Sequence, residues 1–202
     1  KKKLEKSLIN SKKFYALIIA INDYKFLPDL KTPLKDGRAI GDILQKKYGF
    51  KVDYLINPKR QDITKKLNQL ASSLSKNDNL LIYYAGHGKE DEGEGFWLPQ
   101  DAEEEDYTNW FPNTSLGFQL RKIKAINILV MSDSCYSGTF LTRGKSNDNN
   151  KEKRDLKDYL NIKSRVVITS GGEYPVLDDA GIGHSIFAKI MIDYLTNNSQ
   201  PL

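Results

Sequence analysis

The chain has 202 residues, 31 Lys and Arg against 26 Asp and Glu, and a formal net charge of +5. A hydrophobic share of 39 % with 28 % charged residues excludes a disordered or fibrous chain and suits one globular domain with a sizeable core. No apolar run approaches the ~20 residues a membrane-spanning helix needs, and the single cysteine excludes both an internal disulfide and a multi-cysteine zinc site.

The N-terminal stretch KKKLEKSLINSKK, residues 1–13, is basic and lacks the apolar core of a signal peptide. It reads as an extension or linker before a domain spanning 14–202. FYALIIAI (14–21) is a β-rich apolar run, long enough for a buried strand. The next segment opens at Pro33, carries Leu34, Ala39, Ile40, Ile43 and Leu44 at roughly helical spacing, and stops at Gly49, which predicts a helix. KVDYLI (51–56) reads as a second strand, and RQDITKKLNQLASSL (60–74) as a helix with Ile63, Leu67, Leu70 and Leu74 on one side. NLLIYYA (79–85) is a third strand.

Residues 89–106 hold nine acids and one lysine. They read as a solvated loop, enclosing at most a short hairpin around GFWLP. The segment offers oxygen ligands of the kind a hard cation such as Ca²⁺ takes, without the spacing of an EF-hand loop. No metal ligand is assigned, and activation by Ca²⁺ stays an open alternative. Trp97 and Trp110 read as packing residues. TSLGFQLRKI (114–123) predicts a helix and AINILVMS (125–132) a fourth strand. Residues 143–158 carry six basic and four acidic side chains with no apolar period, which is the pattern of a surface loop. RVVITS (165–170) is a fifth strand, and HSIFAKIMIDYLTN (184–197) a closing amphipathic helix.

Apolar strands alternating with helices imply an α/β fold with a mostly parallel sheet covered on both faces. In such sheets ligands bind beyond the carboxyl ends of the strands. Two stretches run from a strand into small residues at that edge: YYAGHGKE (83–90), with His87, one of two histidines, and VMSDSCYSG (130–138), with Cys135. A parallel arrangement lets the two side chains meet. An imidazole beside a thiol takes its proton, producing a strong nucleophile, and then protonates a leaving amine. The small neighbours Gly86, Gly88, Ser134, Ser137 and Gly138 let a substrate backbone approach and leave N–H groups for an oxyanion. Taken singly, a lone Cys is more often buried and inert, and a His between glycines more often a turn residue; the pairing at matched strand ends favours the chemical reading.

IYYAGHG and VMSDSCYSG resemble the His and Cys motifs of the caspase-like cysteine peptidases, most closely the metacaspase and bacterial caspase-homologue branch. The likeness runs in order from about Phe14 to Leu195, with ALIIAINDY similar to the first strand and RVVITSGGEYPVLDDAGIGHSIFA to the segment after the catalytic cysteine. The resemblance implies the caspase-hemoglobinase fold, a twisted parallel sheet between helices. It implies His87 as general base and acid, Cys135 as nucleophile, and the N–H groups of Gly88 and Cys135 as the oxyanion hole. It further implies an acidic S1 pocket formed by Asp36 and Asp133, hence cleavage of protein or peptide substrates after Arg or Lys. Read from the residues alone, a carboxylate at Asp133 is costly unless paired, and a cationic P1 group supplies the partner. Asp36 equally suits a helix N-terminus.

Asp23 and Glu173 are further cleft candidates, better read as turn residues, and His184 reads as structural. Tyr136 stands where many metacaspases have His. An enzyme cutting after basic residues can cut itself within 143–158, although an unprocessed loop is the simpler expectation. A catalytically silent caspase-like interaction module is the alternative function; retention of both His87 and Cys135 argues against it. A nucleotide-binding α/β protein is disfavoured because INDYKFLPDL follows the first strand where a glycine-rich phosphate loop belongs. No clustered basic and aromatic stretch points to nucleic acid, and no segment to a membrane. A reducing, cytoplasmic setting is expected from cysteine usage, and the oligomeric state is left open.

Overall fold

The computed structural model describes residues 13–134, 163–171 and 183–199. Its elements run β1 (Lys13–Ala20), α1 (Pro33–Tyr48), β2 (Lys51–Ile56), α2 (Arg60–Ser73), β3 (Asp78–Ala85), β4 (Gly88–Asp91), β5 (Glu94–Trp97), a 3₁₀ turn (Tyr107–Asn109), β6 (Phe111–Pro112), α3 (Asn113–Lys122), β7 (Asn127–Asp133), β8 (Ser164–Thr169) and α4 (Ile186–Asn197). The central sheet has the order β2-β1-β3-β7-β8 and every pairing in it is parallel. These are the five strands the apolar runs predict, β2 with its expected ends and the others displaced by one or two residues. The expected α/β fold with a parallel sheet between helices is the observed one.

Strand periodicity, hidden in the sequence by continuous apolar runs, becomes visible in the packing. On β3, Leu80, Ile82 and Tyr84 enter one core cluster with Ile63, Leu67 and Leu70 of α2 and Leu116 and Leu120 of α3. The intervening Leu81, Tyr83 and Ala85 enter a second cluster with Ile40 and Leu44 of α1 and Ala188 and Leu195 of α4. Successive side chains point to opposite faces of a strand, so one run feeds two cores. β7 obeys the same alternation: Ile128 and Val130 face the α2/α3 side and Met131 the α1/α4 side. That parity fixes the ends of β7. Ser132 turns toward α2/α3, where its Oγ accepts Trp97 Nε1–H at 2.9 Å. Asp133 turns toward α1/α4.

The acidic segment departs from the expected solvated loop. Its first part forms a β4–β5 hairpin in register from Gly88↔Trp97 to Asp91↔Glu94, and β6 extends it to a small three-stranded antiparallel sheet. The two-residue turn has Glu92 at φ 48° and Gly93 at φ 81°, the doubly positive pattern of a type I′ turn. The hairpin therefore begins earlier than the GFWLP stretch suggests. Trp97 and Trp110 are packing residues as expected: both are buried, and Trp97 stacks on Tyr84 at 4.3 Å between ring centroids.

At the sheet's edge, Arg165 of β8 turns its guanidinium onto main-chain carbonyls around the end of α3, those of Ile123, Ala125 and Ile126. Partial burial lowers its pKa.

Candidate active site

Two groups of polar residues gather at the carboxyl edge of the sheet. The first surrounds His87. Main-chain contacts fix it: its N–H donates to Tyr24 Oη at 2.8 Å, and its carbonyl accepts Tyr84 Oη–H at 2.6 Å and Leu98 N–H at 3.0 Å. The imidazole lies against the Tyr24 ring at 4.7 Å between centroids. Its Nε2 is 2.8 Å from the carbonyl oxygen of Pro28. A carbonyl only accepts, so in this contact Nε2 carries the proton and Nδ1 keeps the lone pair. Gly86 is required here by space: a Cβ would stand 2.8 Å from the Tyr24 hydroxyl and 2.9 Å from that of Tyr84, displacing both clamps.

The Leu98–His87 bond also sets the alternation of the hairpin. It makes His87 and Leu98 a hydrogen-bonded position, so the next pair, Gly88 and Trp97, is a non-hydrogen-bonded one and the Gly88 N–H points away from β5. Beside His87 lies an open cavity of about 400 Å³, bordered by Leu27, Pro28, Gly88, Glu90 and Glu104.

The second group lies on the α1/α4 face. Asp133, at the end of β7, is 7 % exposed and Asp36, in the first turn of α1, only 1 %. Asp133 Oδ2 accepts the hydroxyls of Ser185 and of Tyr83, the latter at 3.2 Å. Asp36 Oδ1 is paired with His184 Nδ1, and its Oδ2 accepts Ser185 N–H at 3.2 Å. Ser185 is also the N-cap of α4, its Oγ accepting Ala188 N–H at 2.9 Å, so one side chain ties the helix end to Asp133. Burial raises the pKa of the Asp133 carboxyl; the Ser185 and Ser170 hydroxyls oppose that, and the nearby Asp36 charge adds to it. Burial, with the charges of Asp133 and Asp36 behind it, also holds the Tyr83 phenol well above its ordinary value, so Tyr83 serves as a hydroxyl donor.

Of the residues singled out in the sequence, His87, Gly88, Asp36 and Asp133 all reach this edge, and the two aspartates come together. Cys135, Tyr136, Glu173 and the 143–158 loop lie outside the described residues. Asp23, read as a turn residue, makes a contact across the fold: its Oδ2 accepts Asn57 Nδ2–H at 2.6 Å. His184, read as structural, contacts Asp36 directly. Pro28, Tyr24 and Ser185 were not legible as site residues. Pro28 contributes only a carbonyl, which every residue has, and Tyr24 and Ser185 act through contacts made across the fold. Among the described residues no group of three or more His, Cys, Asp or Glu side chains is arranged to hold a metal ion, and no helix is long and apolar enough to cross a membrane.

The parallel sheet with its polar carboxyl edge is a caspase-type fold. Across 92 % of the chain it superposes on 82 % of a protein from Geobacter sulfurreducens with a TM-score of 0.66 at 20 % identity. It likewise superposes on 69 % of Caspase-1 from Spodoptera frugiperda, with a TM-score of 0.63 at 17 % identity. The caspase domain family matches residues 13–201, and the chain belongs to that family. Among curated relatives, the human mucosa-associated lymphoid tissue lymphoma translocation protein 1 is 25 % identical over 195 residues, and Metacaspase-6 of Arabidopsis thaliana 26 % over 171. Those matches cover 92 % and 73 % of this chain but only 22 % and 45 % of the relatives' own lengths.

Proposed function

We propose that this domain is a cysteine endopeptidase in which Cys135 and His87 form the catalytic dyad and Asp133 and Asp36 receive the side chain of Arg or Lys at P1. The observation that carries the reading is register. β3 and β7 pair in parallel with Ala85 opposite Asp133, an offset of 48 along the chain, and the same offset separates His87 from Cys135. Each lies two residues past a matched pair at one sheet edge. The chemistry follows from the imidazole's tautomer. With Nε2–H held by Pro28 O, Nδ1 takes the Cys135 proton as sulfur attacks the scissile carbonyl carbon. The oxyanion is met by the N–H groups of Gly88, which points away from β5, and Cys135. The imidazolium then protonates the leaving amine, and water hydrolyses the thioester with the imidazole again as base.

The acid pair supports a basic P1 group for an electrostatic reason. Among the described residues no Lys or Arg stands within ion-pair distance of Asp36 or Asp133. Two nearly buried carboxylates without a full cationic partner are costly, and a guanidinium answers both. A panel of fluorogenic peptides varied at P1, run with and without Ca²⁺ and with mass spectrometry of the protein itself, tests the reading. Turnover of Arg and Lys peptides, lost in Cys135→Ala, is expected. Equal turnover by Cys135→Ala rejects the dyad, and preference for Asp at P1 rejects the pocket.

A further inference from the structure

The two oxygens of Asp36 are held by one dipeptide, His184 on Oδ1 and the Ser185 N–H on Oδ2. Asp36 itself is 1 % exposed, whereas the His184 side chain keeps 19 % of its surface. Among the described residues this dipeptide is what covers the two oxygens, so a cation that reaches Oδ1 competes with the imidazole for it. We propose that His184 is a specificity-determining residue: it and the cationic side chain of a ligand are alternative partners of Asp36, so the pocket takes a guanidinium or ammonium group best when the imidazole is neutral. This rests on the acidic-pocket reading given above.

The proton at issue can be named. Nδ1 faces a carboxylate oxygen and carries a hydrogen in either state, so His184 gains its charge at Nε2 without losing the Asp36 bond. A neutral His184 satisfies the hydrogen bond but leaves the negative charge of the acid pair uncompensated, which draws a ligand cation. A protonated His184 compensates it and opposes that cation. Ligand binding then expels one proton, and affinity falls as pH falls.

Among the described residues, the other groups facing the dipeptide are few. From α1 come Asp36 and Lys35, whose Nζ lies where a Cβ on Gly183 would come within 2.7 Å; Gly183 also has φ 72°, so both space and backbone favour glycine before His184. Asp133 comes from β7, Tyr83 from β3, and the neutral Ser170 follows β8. On α4 itself, Lys189 is engaged by Asp193 at 2.5 Å.

Benzamidine, a guanidinium-like probe that stays cationic throughout, tests this by calorimetry from about pH 5.5 to about pH 8.5, the range in which an imidazole changes charge. In the unaltered protein its affinity should fall on acidification by up to about tenfold per pH unit for each proton expelled. In His184→Gln, which keeps a neutral donor, that slope should flatten by about one proton; among the described residues, what remains belongs to Asp133 and His87. The chain has two histidines, so the His184 ring signal can be followed by NMR without any variant at the pocket. Saturation with benzamidine should lower its titration midpoint. The same pH slope in both proteins, or a His184 signal unmoved at saturation, overturns the proposal while the acidic pocket stands. Failure of the unaltered protein to bind benzamidine at any pH instead overturns the acidic-pocket reading, and this proposal with it.

Discussion

His87 and the Asp36–Asp133 pair stand at the same edge of one sheet, yet they are held in opposite ways. The imidazole is half-buried beside an open cavity and is positioned by neutral groups, the Tyr24 and Tyr84 hydroxyls and the Pro28 carbonyl. The carboxylates are nearly sealed and hold one another's charge at close range. The contrast follows the two tasks proposed for them. A group that passes protons to and from a substrate needs an open approach. A group that recognises charge gains from desolvation, because Coulomb interactions strengthen as water is removed. The cost appears as the raised pKa of Asp133.

Removing the chemistry at the first site should have the largest effect. Cys135→Ala and His87→Ala are each expected to lower turnover of Arg peptides by at least about a thousandfold, and not additively in the double variant, since they act as a unit. Retention of more than a few per cent of activity in either breaks the assignment.

At the second site, Asp133→Asn removes half of a buried charge pair with the ligand. A loss of about 10²–10³ in kcat/KM on Arg peptides is expected from the ~3–4 kcal/mol such truncations cost. A neutral P1 residue should show little change. Equal losses on both kinds of peptide would mean that Asp133 supports the fold rather than the pocket.

Tyr24→Phe sharpens the comparison from the side of His87. It deletes the acceptor for the His87 N–H while keeping the ring packed against the imidazole. About 1 kcal/mol of positioning is at stake, hence roughly a fivefold fall in kcat with KM unchanged. A rise in KM alone would place Tyr24 in substrate binding.

The smallest effect concerns stability. The folded Asp133 carboxyl has a raised pKa, chiefly through burial. An acid shifted upward contributes stability that is fully present below the unfolded carboxylate value, about pH 4, and lost as pH rises through the folded value. Asp133→Asn, which cannot ionise, should therefore gain in melting temperature relative to the unaltered protein as pH rises to neutral, the advantage closing below about pH 4. A gap that widens on acidification would contradict the burial penalty.

How much of this was legible in the sequence depends on what each residue contributes. The central strands were, because a strand buried on both faces needs an apolar side chain at nearly every position, as in LLIYY and LIIA; the outer strands β2 and β8 are half-exposed and show by their β-branched residues. The β4–β5 hairpin was legible only in part: a short hairpin around GFWLP could be read, its acidic first strand could not. Glu-Asp-Glu-Gly-Glu lacks strand propensity, and Glu92 adopts a positive φ that its residue type seldom takes; packing of Trp97 beneath Tyr84 overrides the local preference. The Glu-Gly turn pair was the available signal. His87 stood out because its glycine neighbours are rare punctuation at a strand end. His184 did not, because its partner is 148 residues away and only the parity of β7 and the placement of α4 against α1 bring the four polar groups together.

That distance has a consequence during synthesis. A ribosome completes α1 and its buried carboxylate long before it makes the dipeptide that caps it. Until His184 and Ser185 emerge, the growing polypeptide has neither the imidazole for Asp36 nor the serine hydroxyl for Asp133, so the charge-recognising half of the edge matures last. The order of translation itself then delays the fully assembled domain until its final helix has docked.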